Sequence, residues 1–354
     1  MKIYSAKALL ATAVLIGGNA AAALPDVYVP LGGAKKVQVI DAATNRVTSV
    51  IEGLGNVHGL AVTPDGRYLI AGSIAVASRS AGALPARPKG MSEAEHRKHH
   101  AKPAAATGAV ATSDLSIVDT ASARVVRRVE VPGAVHHVAV SPDGRFAIAT
   151  QLGAGGVNVV DLRGFRWLKT VETGAAPNYA VFSSDGRKAY VSNSGDGTVS
   201  EIDTADWSVA RRIATGGKAP EHLVLSADDK TLYVNNVATG AVAVIALTEG
   251  RVTGTYPTGR MPHGVALSDD GATLFVTSKA EGKLTAIDLV SGKRRELPLA
   301  PAPYHLTAVG GTGMLFVSSS KAQRIWVVDQ RTFAVRSRIR IDGIGHQMAV
   351  AQRQ

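Results

Sequence analysis

From about residue 27 to its end, the chain alternates short apolar runs of four to six residues with turn signals roughly every ten residues. That spacing predicts an all-β fold. Two patterns recur out of phase. One is an apolar strand running into Ser/Thr-x-Asp-Gly: His58–Gly66 (HGLAVTPDG), His136–Gly144 (HHVAVSPDG), Asn178–Gly186, Glu221–Asp229 and His263–Gly271, with a degraded copy at Tyr304–Thr312 and a truncated one at Gly345–Val350. The other is an apolar-x-apolar-apolar-Asp strand: Val37–Asp41, Leu115–Asp119, Val157–Asp161, Val199–Asp203, Val242–Ala246 (which ends in Ala), Leu284–Asp288 and Ile325–Asp329.

The first pattern starts at intervals of 78, 42, 43, 42, 41 and 41 residues. A period near 42 with four strands per unit is the signature of a propeller blade. Seven copies of each pattern predict a seven-bladed β-propeller. With strands lettered A to D from axis to rim, the Ser/Thr-x-Asp-Gly turn joins A to B, and the Asp-terminated strand is C. The chain ends on an A strand, Gly345–Val350, and opens with a B-like strand, Val27–Pro30, and the C strand Val37–Asp41. The two termini therefore complete one shared blade, which leaves no open edge.

The long first interval places about 36 extra residues between strands B and C of the blade that starts at His58, over residues 78–113. This insertion is rich in Ala, Pro, Lys, Arg and His. Within it Ser92-Glu93-Ala94-Glu95 has the capping-box pattern, and a short helix after it puts His96, His99 and His100 on one face, either a small metal-capture face or part of a solvated basic loop. Residues 1–23 read as a secretory signal: Lys2 and Lys7, the apolar run Ala8–Gly18, and the small residues Ala21-Ala22-Ala23. The run is shorter than the ~20 residues of a membrane span. The expectation is a propeller over residues 24–354 in a bacterial periplasm or outside the cell.

Composition narrows the chemistry. There is no cysteine, which removes disulfides, thiolate metal sites and iron–sulfur clusters. The net charge of +11, from 39 basic and 28 acidic side chains, favours acidic partners. The basic residues are scattered and carry no nucleic-acid-binding signature.

The 10 histidines divide cleanly. Three lie in the insertion. The other seven, His58, His136, His137, His222, His263, His305 and His346, all occupy the first two positions of an A-strand unit. Strand A lines the channel, so these residues gather at one mouth of it. Imidazoles converging on one point form a ligand field for copper, zinc, iron or nickel. Consecutive strand residues point to opposite sides, so all seven face the axis only if the strand start is irregular. His137, His222, His305 and His346 share one phase, and His58, His136 and His263 the other. The alternative is seven structural histidines bonded to loop carbonyls. The D–A loops and the insertion lie on the same face, which also puts Lys218 and Arg260 near the mouth as anion-binding candidates and Met261 as a soft donor.

Ala189-Tyr190-Val191-Ser192-Asn193 and Leu232-Tyr233-Val234-Asn235-Asn236 carry a Y-V-x-N element, and the repeats resemble the YVTN-type propeller family over the mature chain. A narrower resemblance lies in Val135-His136-His137, Pro262-His263-Gly264, Pro303-Tyr304-His305 and Gly345-His346, which look like the ligand motifs of the nitrous oxide reductase propeller and, by similarity, of the copper-dependent thiocyanate dehydrogenases. That resemblance implies a multinuclear copper centre, redox chemistry on a small anion or copper handling, and an external electron carrier such as a cytochrome c. No cupredoxin domain follows, so nitrous oxide reduction is not expected. Three other readings stand beside it. One is a haem d1-binding or biogenesis protein, by similarity to the cytochrome cd1 propeller, which has eight blades. Another is a calcium-dependent lactonase of the six-bladed type, for which only Glu221 and Asn178 supply oxygen at equivalent places. The last is a non-enzymatic binding platform.

Overall fold

The structure, a computed structural model, describes residues 24–76 and 111–351. Twenty-eight strands among them, β1–β28 in chain order, form seven four-stranded sheets. The fold is the seven-bladed β-propeller that the repeat predicts. Blade 1 comprises β4 (Val57–Val62), β5 (Tyr68–Ser73), β6 (Thr112–Asp119) and β7 (Arg124–Pro132). The inner strands of blades 2 to 6 are β8 (Val138–Val140), β12 (Pro177–Phe182), β16 (Pro220–Leu225), β20 (Pro262–Leu267) and β24 (Pro303–Val309). Residues 1–23, with the expected leader, and 77–110, with His96, His99 and His100, lie outside the described residues. Among those described, no helix is long and apolar enough to cross a membrane.

The two sequence patterns are turn chemistry. In Ser/Thr-x-Asp-Gly, the hydroxyl donates to the Asp carboxylate and accepts the backbone N–H that opens the next strand. Ser141 Oγ lies 2.6 Å from Asp143 Oδ1 and 2.9 Å from Phe146 N. The glycine takes the left-handed conformation, as at Gly144 with φ +68°, where a side chain would be strained. In the second pattern the terminal Asp caps the following turn: Asp288 Oδ1 accepts from Ser291 N at 2.7 Å, and Asp329 Oδ1 from Thr332 N at 2.7 Å. Both motifs specify where strands end and carry no chemistry of their own.

Most hydrophobic clusters lie between facing blades. Val37, Val39 and Ile51 of the closing blade pack on Leu60 and Leu69 of blade 1, and Ile148 and Val159 of blade 2 on Ala189 and Ile202 of blade 3. Side chains on the outer strands tie neighbouring blades together: Arg128, Arg212 and Arg294 each donate to the carbonyl at the end of another blade's outer strand, that of Gly53, Thr173 and Pro257 respectively.

The ring closes as the repeat count requires. The last strand, β28 (Ala349–Ala351), pairs antiparallel with β1 (Asp26–Leu31), with Tyr28 opposite Ala349 and Asp26 opposite Ala351. Three residue pairs are a short seam. Gln347 reinforces it from the axis. Its Oε1 accepts from Leu60 N and Val138 N, both at 3.2 Å, and its Nε2 donates to the Val138 carbonyl at 3.0 Å and to Tyr179 Oη at 3.3 Å. One amide thereby joins the closing blade to blades 1, 2 and 3.

Two predictions follow from this frame. Replacing Gln347 with Leu leaves two buried amides without their acceptor, at about 1–3 kcal/mol each, so Gln347→Leu lowers the thermal midpoint measured by circular dichroism; an unchanged midpoint refutes the clasp. The Thr332 backbone N–H and the Arg336 guanidinium hold the Asp329 carboxyl at about 2, below the usual carboxylate range. A carboxylate depressed on folding stabilises above its unfolded pKa and loses that contribution as pH falls through the folded one. Asp329→Asn therefore costs roughly 1–2 kcal/mol at pH 7, a deficit that closes between about pH 4 and pH 2 in denaturant titrations.

Candidate metal centre

All seven repeat histidines meet in one cluster. Ring centroids lie 4.3 Å apart for His58 and His346, 4.4 Å for His58 and His136, and 4.0 Å for His136 and His137. On the other side His222 sits 4.9 Å from His137, 4.8 Å from His305 and 4.4 Å from His263. His58, His136, His137, His222, His263 and His305 are at most 4% exposed; His346 is half-buried.

Both phases face the axis because the strand starts are irregular. The pairing of the A and B strands slips between Pro177 and Ala180, Pro220 and Leu223, Pro262 and Val265, and Pro303 and Leu306, and between Val57 and Gly59 in blade 1. In each case one extra residue sits on the inner strand, a β-bulge that re-aims side chains. In blade 2 the pair His136-His137 precedes β8 altogether. The inner strands also approach closely. A Cβ on Gly59 would lie 2.7 Å from His137 Cα, and one on Gly264 would lie 2.7 Å from the Tyr304 carbonyl oxygen. The His-Gly pairs of the sequence are thus a proximity requirement.

A second device holds the ring. Thr150, Ser192, Asn235 and Thr277 on B strands each donate to a carbonyl at the start of the next blade's inner strand, those of Asn178, Glu221, His263 and Tyr304. Ser192 and Asn235 are the variable third residues of the two Y-V-x-N elements.

Hydrogen bonds fix the tautomers of two rings. His58 Nδ1 lies 3.0 Å from the His136 carbonyl, and His137 Nδ1 lies 2.8 Å from the Asn178 carbonyl. A carbonyl only accepts, so both Nδ1 atoms carry the proton and both Nε2 atoms keep their lone pair. Those Nε2 atoms are buried, as are those of His222 and His305. This is the arrangement in which protein metal ligands are oriented by their second nitrogen. His263 Nδ1 is held instead by Glu221 Oε2 at 2.9 Å.

The donors fall into three groups: His58, His305 and His346; His58, His136 and His137; and His137, His222 and His305. Within each, one ligand atom per residue lies within 4.8 Å of the others. With metal–nitrogen bonds of about 2.0–2.1 Å, three nitrogens on one ion stand ~3.4–3.6 Å apart, so each group must draw together by up to about 1.4 Å. His263 belongs to no group. Burial, and then the neighbouring imidazoles, push His305 well below its ordinary value, and burial brings His346 down to about 4. His305 Nε2 and His346 Nδ1 are buried without a hydrogen-bond partner, as expected of donors kept for an ion.

Several residues beside the histidines complete the site. Tyr304 stacks on His263 at 4.2 Å, and Tyr179 on His222 at 4.3 Å; burial raises both phenols. Burial pushes Glu221 up to about 7, against the pull of Lys279. Lys279 Nζ lies 5.4 Å from the Tyr304 ring centroid, so the cation against the cluster is Lys279. Lys218 and Arg260 are exposed on their loops, and Arg260 is engaged by Glu281 through its backbone N–H at 2.8 Å. Met261 is half-buried with φ +55°. The signal for Lys279 was its place in a B–C loop, on the same face as the D–A loops.

Comparison with solved structures returns propellers. Kuenenia stuttgartiensis hydrazine synthase aligns at 21% identity and TM-score 0.64, over 84% of this chain and 90% of that one. The Pseudomonas aeruginosa periplasmic gluconolactonase PpgL aligns at 19% and 0.69, over 93% and 99%. The dihydro-heme d1 dehydrogenase NirN in complex with DHE aligns at 18% and 0.62, over 90% of this chain and 64% of that one. At these identities the likeness is one of fold. No curated protein matches the chain. A family model described as lactonase, 7-bladed beta-propeller, matches residues 100–297; the six-blade count that weighed against lactonases does not apply to it. That match spans more than half of the sequence, and the chain belongs to the seven-bladed β-propeller lactonase family.

Proposed function

We propose that the axial histidine cluster is a transition-metal centre, with copper as its ion, in a periplasmic protein that carries out redox chemistry on a small anion or handles copper. The observation behind this reading is the grouping of six imidazoles, five buried and that of His346 half-buried, into three overlapping donor sets. Neutral nitrogen donors suit copper and leave calcium, which takes oxygen, poorly served. The three sets share His58, His137 and His305 at their corners. His58 and His137 have Nδ1 committed to carbonyls, so each gives one donor to one ion. Six donors then serve two or three ions with two or three nitrogens each, and the reading is multinuclear.

Bound copper would supply Lewis acidity and one-electron exchange. The chain's own residues do the rest. Glu221 orients His263, Tyr179 and Tyr304 wall the cluster, and Lys279 offers a positive charge to an anion at its edge. Lys218 and Arg260 would act farther out, guiding an anion towards the mouth. His96, His99 and His100 would capture metal ahead of the centre, and electrons would pass to or from an external carrier such as a cytochrome c. The family match favours a second reading, in which an ion in the same cluster activates water to open a lactone ring.

Metal analysis of protein purified from copper-supplemented periplasm tests the proposal. We expect more than one copper per chain, with nitrogen hyperfine structure in the Cu(II) paramagnetic resonance spectrum. The His58→Ala/His137→Ala/His305→Ala variant loses the metal, and His263→Ala keeps most of it. Single His305→Gln serves as the folded control if the triple variant melts early. Metal-free wild type, or a triple variant that holds copper as well as the wild type, overturns the reading. A bound haem chromophore would point to the haem d1 alternative, lactone hydrolysis with another metal to the second reading, and neither to a binding platform.

A further inference from the structure

The outermost strands of the propeller are rich in arginine, and most of these side chains are used. Arg128, Arg212 and Arg294 end on carbonyls of neighbouring blades. Arg211 pairs with Glu201, and Arg336 with Asp329. Blade 6 is different. Its strands β26 (Arg324–Asp329) and β27 (Ala334–Arg340) place Arg324 directly opposite Arg340, and Trp326 directly opposite Arg338. Residues that face each other across antiparallel strands, and residues two apart along a strand, share one face of the sheet. Arg324, Arg338 and Arg340 therefore stand together. Like charges directly opposite cost stability. The acids nearest in sequence are engaged elsewhere: Asp329 is held by Arg336, and Asp342 by Lys36 at 2.9 Å and Gln38 at 3.0 Å. Among the described residues, none of the three arginines has a carboxylate partner.

The place is also shaped. Gln323, Arg324, Arg338, Ile339 and Arg340 line a hollow of about 470 Å³. The Arg324 guanidinium carbon lies 5.7 Å from the centroid of the Trp326 ring, itself only 2% exposed, so one arm is anchored before any ligand arrives. We infer that this hollow on blade 6 is a binding site for a phosphate-class oxyanion, held by the guanidinium forks of Arg324, Arg338 and Arg340. Planar forks match tetrahedral oxyanions in a bidentate manner that a lysine patch would not. The inference is independent of the metal reading, since the site lies on the two outer strands of one blade.

Calorimetric titration with inorganic phosphate, against sodium chloride at equal ionic strength, tests it. The wild type is expected to bind phosphate saturably. Arg338→Gln/Arg340→Gln weakens binding at least about tenfold, while Arg163→Gln, an exposed arginine on another blade, leaves it unchanged. Circular dichroism melts check that the variants stay folded. Sedimentation with phosphatidylglycerol vesicles, against phosphatidylcholine ones, identifies the source of the phosphate. Wild-type pelleting that the double variant loses assigns it to a lipid headgroup, and phosphate binding without pelleting assigns it to a free anion. No phosphate binding above chloride, or equal binding by the double variant, overturns the inference.

Discussion

The convergence of seven imidazoles depends on how closely the inner strands approach one another. At Gly59 and Gly264 the neighbouring backbone lies where a Cβ would stand, so the strands around the axis leave no room for side chains between them at those levels. Side chains can only go inward, and the extra residue at the strand starts turns two successive positions that way. A bulge is usually a local bend in one sheet. Repeated around a ring, it doubles the number of side chains that each of several blades delivers to the axis. That doubling lets positions of both phases contribute to one set of donors.

Crowding polar rings in a dry place is costly unless each has its bonds and stays neutral. Bonds are supplied at His58 and His137, and neutrality at His305 and His346. Carbonyls at the strand starts take the Nδ1 protons of His58 and His137, and the second of these, that of Asn178, is itself fixed by the Thr150 hydroxyl from the preceding blade. Burial and mutual repulsion keep His305 uncharged. The ionisable groups of opposite kind, Glu221 and Lys279, gather beside His263, the ring that stays outside the donor groups. The cluster therefore has two chemically distinct sides, one of grouped imidazole nitrogens and one that carries a carboxyl and an ammonium.

Much of the architecture was legible in the sequence, because a repeat of about 42 residues with two fixed turns leaves few ways to fold. Seven blades, the closing seam and the common location of the histidines all follow from spacing. The finer geometry did not follow. Alternation along a regular strand splits the histidines into two sets, and only the bulges reunite them. Spacing also cannot show that His263 is diverted by a carboxylate one blade away, or that Lys279 lies against the cluster while Lys218 and Arg260 extend into solvent. Those facts depend on loop conformation and on contacts between blades, which a pattern within one repeat does not encode. The Y-V-x-N element was visible as a motif, yet its third residue proved to be a bond to the next blade, a role that only a closed ring reveals.

The seam between the first and last strands has a consequence for assembly. His346 stands one residue before Gln347, the amide that joins the closing blade to three others. Its partners His58 and His305 come from the first and sixth blades. This donor group joins positions 58, 305 and 346 of the chain, and contacts at such separation form only once the intervening loop closes. A partly folded chain offers scattered imidazoles but not this set. An ion held at this corner, as proposed above, would report that the circle is finished and would oppose the slipping of the seam that made its site.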